Sequence, residues 1–142
     1  MAVGGSSVRR ADRIVGLGAL LAGLAVVLGA FGAHGLRVRV SPEMLAVYET
    51  AVRYHFYHAL GLIALGAFAR ARAGAPGALP RGTICAAGCF VAGIALFSGS
   101  LYALVLSGIG MLGAITPFGG GVFIVGWVMF ARAALDTRSL GA

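Results

Sequence analysis

"GTICAAGCFVAGIALFSGSLYALVLSGIGMLGAITPFGGGVFIVGWVMFA", Gly82 to Ala131, is fifty residues without one charged side chain. The hydrocarbon core of a bilayer is ~30 Å thick, and about 20 apolar helical residues cross it. This run can therefore cross twice. Its middle, "SGIGMLGAITPFGGG", is rich in glycine and breaks the apolar pattern, so spans are expected at about 84–106 and 117–135. Thr116 followed by Pro117 suits the start of the later one, a hydroxyl cap before a residue that tolerates the first helical turn.

The rest of the chain agrees. Of 142 residues, 60% are hydrophobic and 11% charged, and the mean hydropathy is +0.98. Eleven basic and four acidic side chains cannot cover a soluble domain. Every basic residue is arginine, and together they give a net charge of +7. In a soluble protein this excess would point to nucleic acid. Here the arginines flank the apolar runs, where orientation and anionic lipid headgroups account for them better, so no nucleic-acid partner is expected.

Ile14 to Ala33 is a third uncharged run, preceded by Arg9, Arg10 and Arg13. A cleaved signal peptide normally has a hydrophobic region of only about 7–15 residues, so an uncleaved first span is the better reading. Ser41 and Pro42 then open a helix whose first part is amphipathic. Met44, Val47, Tyr48, Ala51, Val52 and His55 share one arc; Glu43, Glu49, Thr50 and Arg53 share the other. This interfacial segment leads into a second span at about 54–69, and Glu49 and Arg53 are spaced to pair across one turn. "RARAGAPGALPRG", Arg70 to Gly82, is a loop.

The predicted fold is an all-α four-helix transmembrane bundle covering 14–135, with short tails at 1–13 and 136–142. Cytoplasmic termini would put Arg9, Arg10, Arg13, Arg70, Arg72, Arg81, Arg132 and Arg138 inside and leave Arg37, Arg39 and Arg53 outside, so the arginine bias favours N-in and C-in. The expected location is the inner, or plasma, membrane of a bacterium. Among 24 glycines, Gly29, Gly32, Gly99, Gly119 and Gly120 are the candidates for close helix packing, with Pro117 supporting a helix start.

Threaded this way, the polar residues of all four spans gather near the outer face. His34 ends "GAFGAHGL" (Gly29–Leu36); Tyr54, His55 and His58 open the second span; Ser98, Ser100 and Tyr102 lie in "FSGSLY"; Thr116 starts the fourth. The expected role of His34, Tyr54, His58, Ser98, Ser100, Tyr102 and Thr116 is a structural hydrogen-bond network, since a partnerless polar group in lipid is costly. A small-molecule binding or transport site is the second reading, because intramembrane polar groups often mark pathways. A bis-histidine haem or metal site is third. A hydrolase lacks an acid to orient its histidine. Cys85 and Cys89, four residues apart, read as packing residues at the opposite end. No catalytic residue, metal ligand or cofactor is expected, and a homo-oligomer or another membrane protein is left open as partner.

Four segments, "GAFGAHGL", "YETAVRYHFYHAL", "LFSGSLYAL" and "ITPFGGGVFIVGW", resemble in order the YgdD-like family of small bacterial membrane proteins, with animal relatives of the transmembrane-protein-256 type. The resemblance runs from about Ile14 to Trp127. It implies four transmembrane helices in the plasma membrane and brings no activity or cofactor. Its pattern touches His34, Tyr54, His58, Ser98, Gly99, Ser100, Tyr102, Thr116, Pro117, Gly119 and Gly120, and leaves out His55.

Overall fold

The computed structural model describes residues 3–73 and 81–136, all helix and connecting turns. Helix α1 (Val3–Phe31) ends in a π turn, Gly32–Leu36. Helix α2 runs unbroken through Pro42–Arg72. A third rod consists of α3 (Arg81–Gly93), a π turn (Ile94–Ser98) and α4 (Gly99–Ser107). Gly108, at φ +74°, stops it in the left-handed conformation that glycine adopts without steric cost. A short 3₁₀ turn (Gly110–Ala114) then leads into α5 (Thr116–Leu135).

Among the described residues, three stretches are long and apolar enough to cross a membrane: Gly5–Leu36, Gly82–Ser107 and Gly110–Leu135. Helix α2 is not among them. Its centre holds Arg53, Tyr54, His55, Tyr57 and His58. The packing explains how so polar a helix fits. Helix α1 packs almost wholly on α2, α3 packs on α5, and α2 is also the element that meets α3 and α4. The most polar helix is therefore the most enclosed, with ten of its residues buried, His55 and His58 among them. The apolar α1 and α5 face outward through Leu20, Val26, Val27, Phe118, Ile124 and Val128. Both histidines are turned into the protein and large apolar side chains are turned out, as lipid requires.

Glycine sets the approach of both antiparallel pairs. A Cβ on Gly18 of α1 would stand 2.9 Å from the Ala59 carbonyl oxygen on α2, and one on Gly66 of α2 would stand 2.9 Å from the Val15 nitrogen on α1. Between α3 and α5, Gly126 lies beneath the Phe90 ring and Gly93 beneath Phe123. Of the residues expected to pack closely, Gly29 faces Val52, Gly32 lies under Tyr48, and Gly119 meets the Phe97 backbone. Gly99 and Gly120 have only ordinary contacts. A core of Leu62, Leu65, Phe90, Ile94 and Phe123 joins α2, α3 and α5.

Several sequence expectations change. Helix α1 begins at Val3, so it extends through the arginines of the expected tail. The amphipathic segment is the first third of α2, with Tyr48 and Ala51 buried against the rest of the protein and Met44 exposed. Glu49 and Arg53 do not pair; the ion pair among the described residues joins Asp12 of α1 to Arg70 of α2. Both are surface side chains, so solvent keeps this bond weak. The Arg70–Gly82 loop and the C-terminal tail fall largely outside the described residues.

The ends are well marked. Arg72 donates to the Ala133 and Asp136 carbonyls at the C-terminus of α5, where a cation meets free carbonyls and the negative dipole end. This contact and the Asp12–Arg70 pair bring the start of α1 and the end of α5 to one end of the molecule. At the other end Ser41 caps α2, its Oγ accepting from the Met44 amide at 3.3 Å. Ser41 also holds the exposed Glu43 carboxyl below its ordinary value of 4.5. A depressed carboxylate adds stability above its unfolded pKa, and loses it as pH falls through the folded one. Ser41→Ala should therefore move the Glu43 titration, followed by side-chain carboxyl NMR, back up toward 4.5. It should also cost the helix about 1 kcal/mol of capping.

Candidate functional site: a histidine and aromatic core

Besides the end contacts of Arg70 and Arg72, three polar contacts tie α2 to its neighbours. Gly32 lets the Tyr48 ring lie against α1, and the Tyr48 hydroxyl donates to the Leu28 carbonyl one turn away, at 3.1 Å. Tyr48 then packs beside Tyr102 of α4, ring centroids 5.1 Å apart. Two turns further along α2, the buried His55 meets the Tyr102 hydroxyl through Nδ1 at 3.3 Å.

His58 is the centre of the arrangement. Its Nδ1–H donates to the Tyr54 carbonyl at 2.7 Å, which leaves Nε2 as the acceptor for the indole N–H of Trp127, at 3.2 Å. Its ring stacks on Phe123, with centroids 3.3 Å apart and an 11° tilt, and meets the edge of Phe90. Both nitrogens and one face are thus engaged by α2 itself and α5, Phe90 of α3 stands against the ring, and the side chain is buried. Tyr54 contributes its carbonyl and stacks its ring on Phe97, while the side chain stays partly exposed. Ser100 donates either to Phe97 O at 2.9 Å or across to Thr116 Oγ1 at 2.8 Å.

The geometry brings together some of the expected network. Tyr102, Ser100, Thr116 and His58 make side-chain contacts between helices, but as separate contacts, two from α2 and one between α4 and α5, instead of one cluster. Thr116 does not cap α5; it is the first helical residue, and its hydroxyl is turned to Ser100. Ser98 is fully buried with no hydrogen-bond partner among the described residues, as are His55 Nε2 and Thr83 Oγ1. His34 stands outside the arrangement. It is exposed in the π turn that ends α1, close to the level of Tyr48, and His58 lies roughly 15 Å further along α2 at 1.5 Å per residue. A bis-histidine pair from these two residues is therefore not assembled. Neither cysteine is bonded: Cys85 is exposed and Cys89 partly buried.

Four participants were missed. Tyr48 was visible on the buried arc of α2, but nothing in the sequence marked its reach to a main-chain carbonyl. Phe90 was one apolar residue among many. Phe123 and Trp127, four apart on one face of α5, could have been paired with a histidine had the crossing with α2 been known.

A family model described as "Protein of unknown function (DUF423)" matches residues 28–120. The chain belongs to the DUF423 family. Curated relatives of this chain carry membrane-protein names and align along nearly their full length. The UPF0382 membrane protein YwdK of Bacillus subtilis (strain 168) is 49% identical over 120 residues, 84% of this chain and 93% of that protein. The UPF0382 membrane protein SAB0533 of Staphylococcus aureus (strain bovine RF122 / ET3-1) is 47% identical over 117 residues, 82% and 90% of the two chains. No solved structure matches significantly. With its three long apolar helices, this DUF423 member is a small integral membrane protein. The family match begins at Leu28, the carbonyl that Tyr48 seeks, and includes His58 and the Ser100–Thr116 pair, while Phe123 and Trp127 lie past it.

Proposed function

We propose that this protein crosses a bacterial inner membrane four times, both termini cytoplasmic, as a structural or accessory component with no catalytic role. The His58 core serves as its lock. The observation that carries the reading is the complete engagement of His58: one nitrogen gives to Tyr54, the other receives from Trp127, and the ring lies on Phe123. A histidine so held has no lone pair left for a metal or a travelling proton. Such intramembrane bonds contribute about 0.6–2 kcal/mol each and fix how helices dock.

Four crossings are supported by α2 running the length of α1 in antiparallel contact, with both histidines of its centre buried. Cytoplasmic termini are supported by the arginine distribution and by the meeting of α1's start with α5's end. Kinship with the YgdD-like and transmembrane-protein-256-like proteins rests on the four ordered segments. Anionic headgroups are the proposed lipid partners of the arginine-rich end, and nucleic acid is not a partner.

Two measurements test the proposal. Reporter fusions at each terminus should both read cytoplasmic, and a periplasmic signal from either would reverse the threading. His58→Ala, purified in mild detergent, should lose folded yield without losing any ligand. A well-folded variant stripped of a copurified molecule or of Soret absorption would replace the structural reading with a binding one.

A further inference from the structure

Helices α1 and α3 do not close on each other. A cleft of about 610 Å³ separates them, floored by Leu62 of α2. Its levels follow from the packing: Gly18 of α1 touches the Ala59–Ile63 stretch of α2, and Gly61 of that stretch touches Phe90 of α3. Arg10 and Arg13, below Gly18, therefore stand at the mouth beside Ile84, and Ala95 marks the deep end. From Ile84 to Ala95 is roughly 16 Å of helix at 1.5 Å per residue. That is about half of a ~30 Å hydrocarbon core, the depth of one leaflet.

We propose that this cleft is a binding site for one anionic glycerophospholipid. Its phosphate sits against the Arg10 and Arg13 guanidiniums, and one acyl chain runs between α1 and α3 over Leu62. The site has the shape of an amphiphile, charged at one end and apolar along its walls. Neither arginine has an ion-pair partner among the described residues, since the nearby Asp12 is taken by Arg70. Guanidinium groups suit phosphate oxygens through paired N–H donors. Gly88 lines the cleft, yet a Cβ there would meet nothing within 4 Å. No helix of this chain needs the room, unlike at Gly93 on the same rod. A second copy is the poorer occupant: a two-fold axis along the membrane normal would set Arg10 and Arg13 against their own equivalents, like charge on like. The inference rests on the proposed crossing of α1 and α3, but not on which end is cytoplasmic.

The test is native mass spectrometry of the full-length protein in mild detergent. The probe is an equimolar mixture of phosphatidylglycerol and phosphatidylethanolamine with identical chains. The wild type should retain one phosphatidylglycerol in preference. Arg10→Gln with Arg13→Gln should lower that preference by about tenfold. Gly88→Leu should lower retention of both lipids while helical circular dichroism is unchanged. Arg132→Gln removes a charge from the same end of the molecule outside the cleft, and should keep the preference. The proposal falls if the double variant keeps it, if Arg132→Gln loses it equally, or if Gly88→Leu retains both lipids. It also falls if the wild type appears as a lipid-free dimer. Release of the protein from membranes by alkaline carbonate would instead strike at the crossing itself.

Discussion

Gly119→Leu should leave no folded protein in mild detergent. At Gly119 the backbones of α5 and the π turn between α3 and α4 are so close that a Cβ would run into the nitrogen and Cα of Phe97 and the carbonyl carbon of Leu96. Main-chain atoms inside a helix cannot swing aside as a side chain can. Overpacking in a core usually costs about 1–3 kcal/mol, with flexible neighbours absorbing part of it. Here the two helices must separate, which also pulls Phe123 from Gly93 and breaks the Ser100–Thr116 bond. A loss above about 3 kcal/mol is expected, enough to remove the monodisperse peak in size exclusion. The neighbouring Gly121 supplies the control. A Cβ there meets nothing within 4 Å, so Gly121→Ala should be neutral or gain up to about 1 kcal/mol of helix propensity. If Gly119→Leu elutes and melts like the wild type, the close crossing is wrong.

This crossing shows where sequence reasoning succeeds and stops. Fifty uncharged residues split by a glycine-rich turn were enough to place two apolar rods, and Ser41–Pro42 marked the start of α2 correctly, side-chain cap included. The partner of each face was not legible. Small residues recur on every helix, and spacing alone does not separate Gly119, which meets backbone, from Gly120, which meets only the edge of the Phe97 ring. The π turn at Ile94–Ser98 compounds the difficulty. One extra residue per turn there rotates the rod, so that α3 faces α5 while α4 turns Tyr102 to α2. A projection with a constant 3.6-residue period cannot carry a face across such a turn.

The histidines illustrate the same limit from the chemical side. Gathering the polar residues at one depth assumed that α2 enters the membrane near Tyr54, yet the helix lies against α1 from Tyr48 onward, and His58 falls near its middle. His34 was drawn into the cluster by its place at the end of an apolar run. In the structure that place is a π turn in which His34 is exposed. A polar residue at a helix end has water or headgroups for a partner, whereas one at mid-helix must find protein. His58 does so with Trp127, a residue whose polar atom is a single N–H and whose bulk reads as core.

His58→Ala is accordingly the side-chain truncation with the largest expected effect. It removes a ring stacked at 3.3 Å on Phe123 and leaves the Trp127 N–H without its acceptor. The cavity and the orphaned donor together should cost about 3–5 kcal/mol. Because Trp127 is the protein's one tryptophan, its fluorescence reports the site directly, and denaturant titration in mixed micelles supplies the free energy. His58→Phe separates the two contributions: it preserves a stacking ring while deleting the acceptor, and should cost about 1–3 kcal/mol. Trp127→Phe, followed by circular dichroism, removes the donor. In the double variant neither partner is left wanting, so its loss should fall short of the two single losses combined by about 1 kcal/mol. His34→Ala should stay within about 0.5 kcal/mol of wild type, as suits an exposed residue. Additive losses at 58 and 127 would mean that the indole and imidazole do not bond, and that α2 meets α5 at this level through aromatic packing alone.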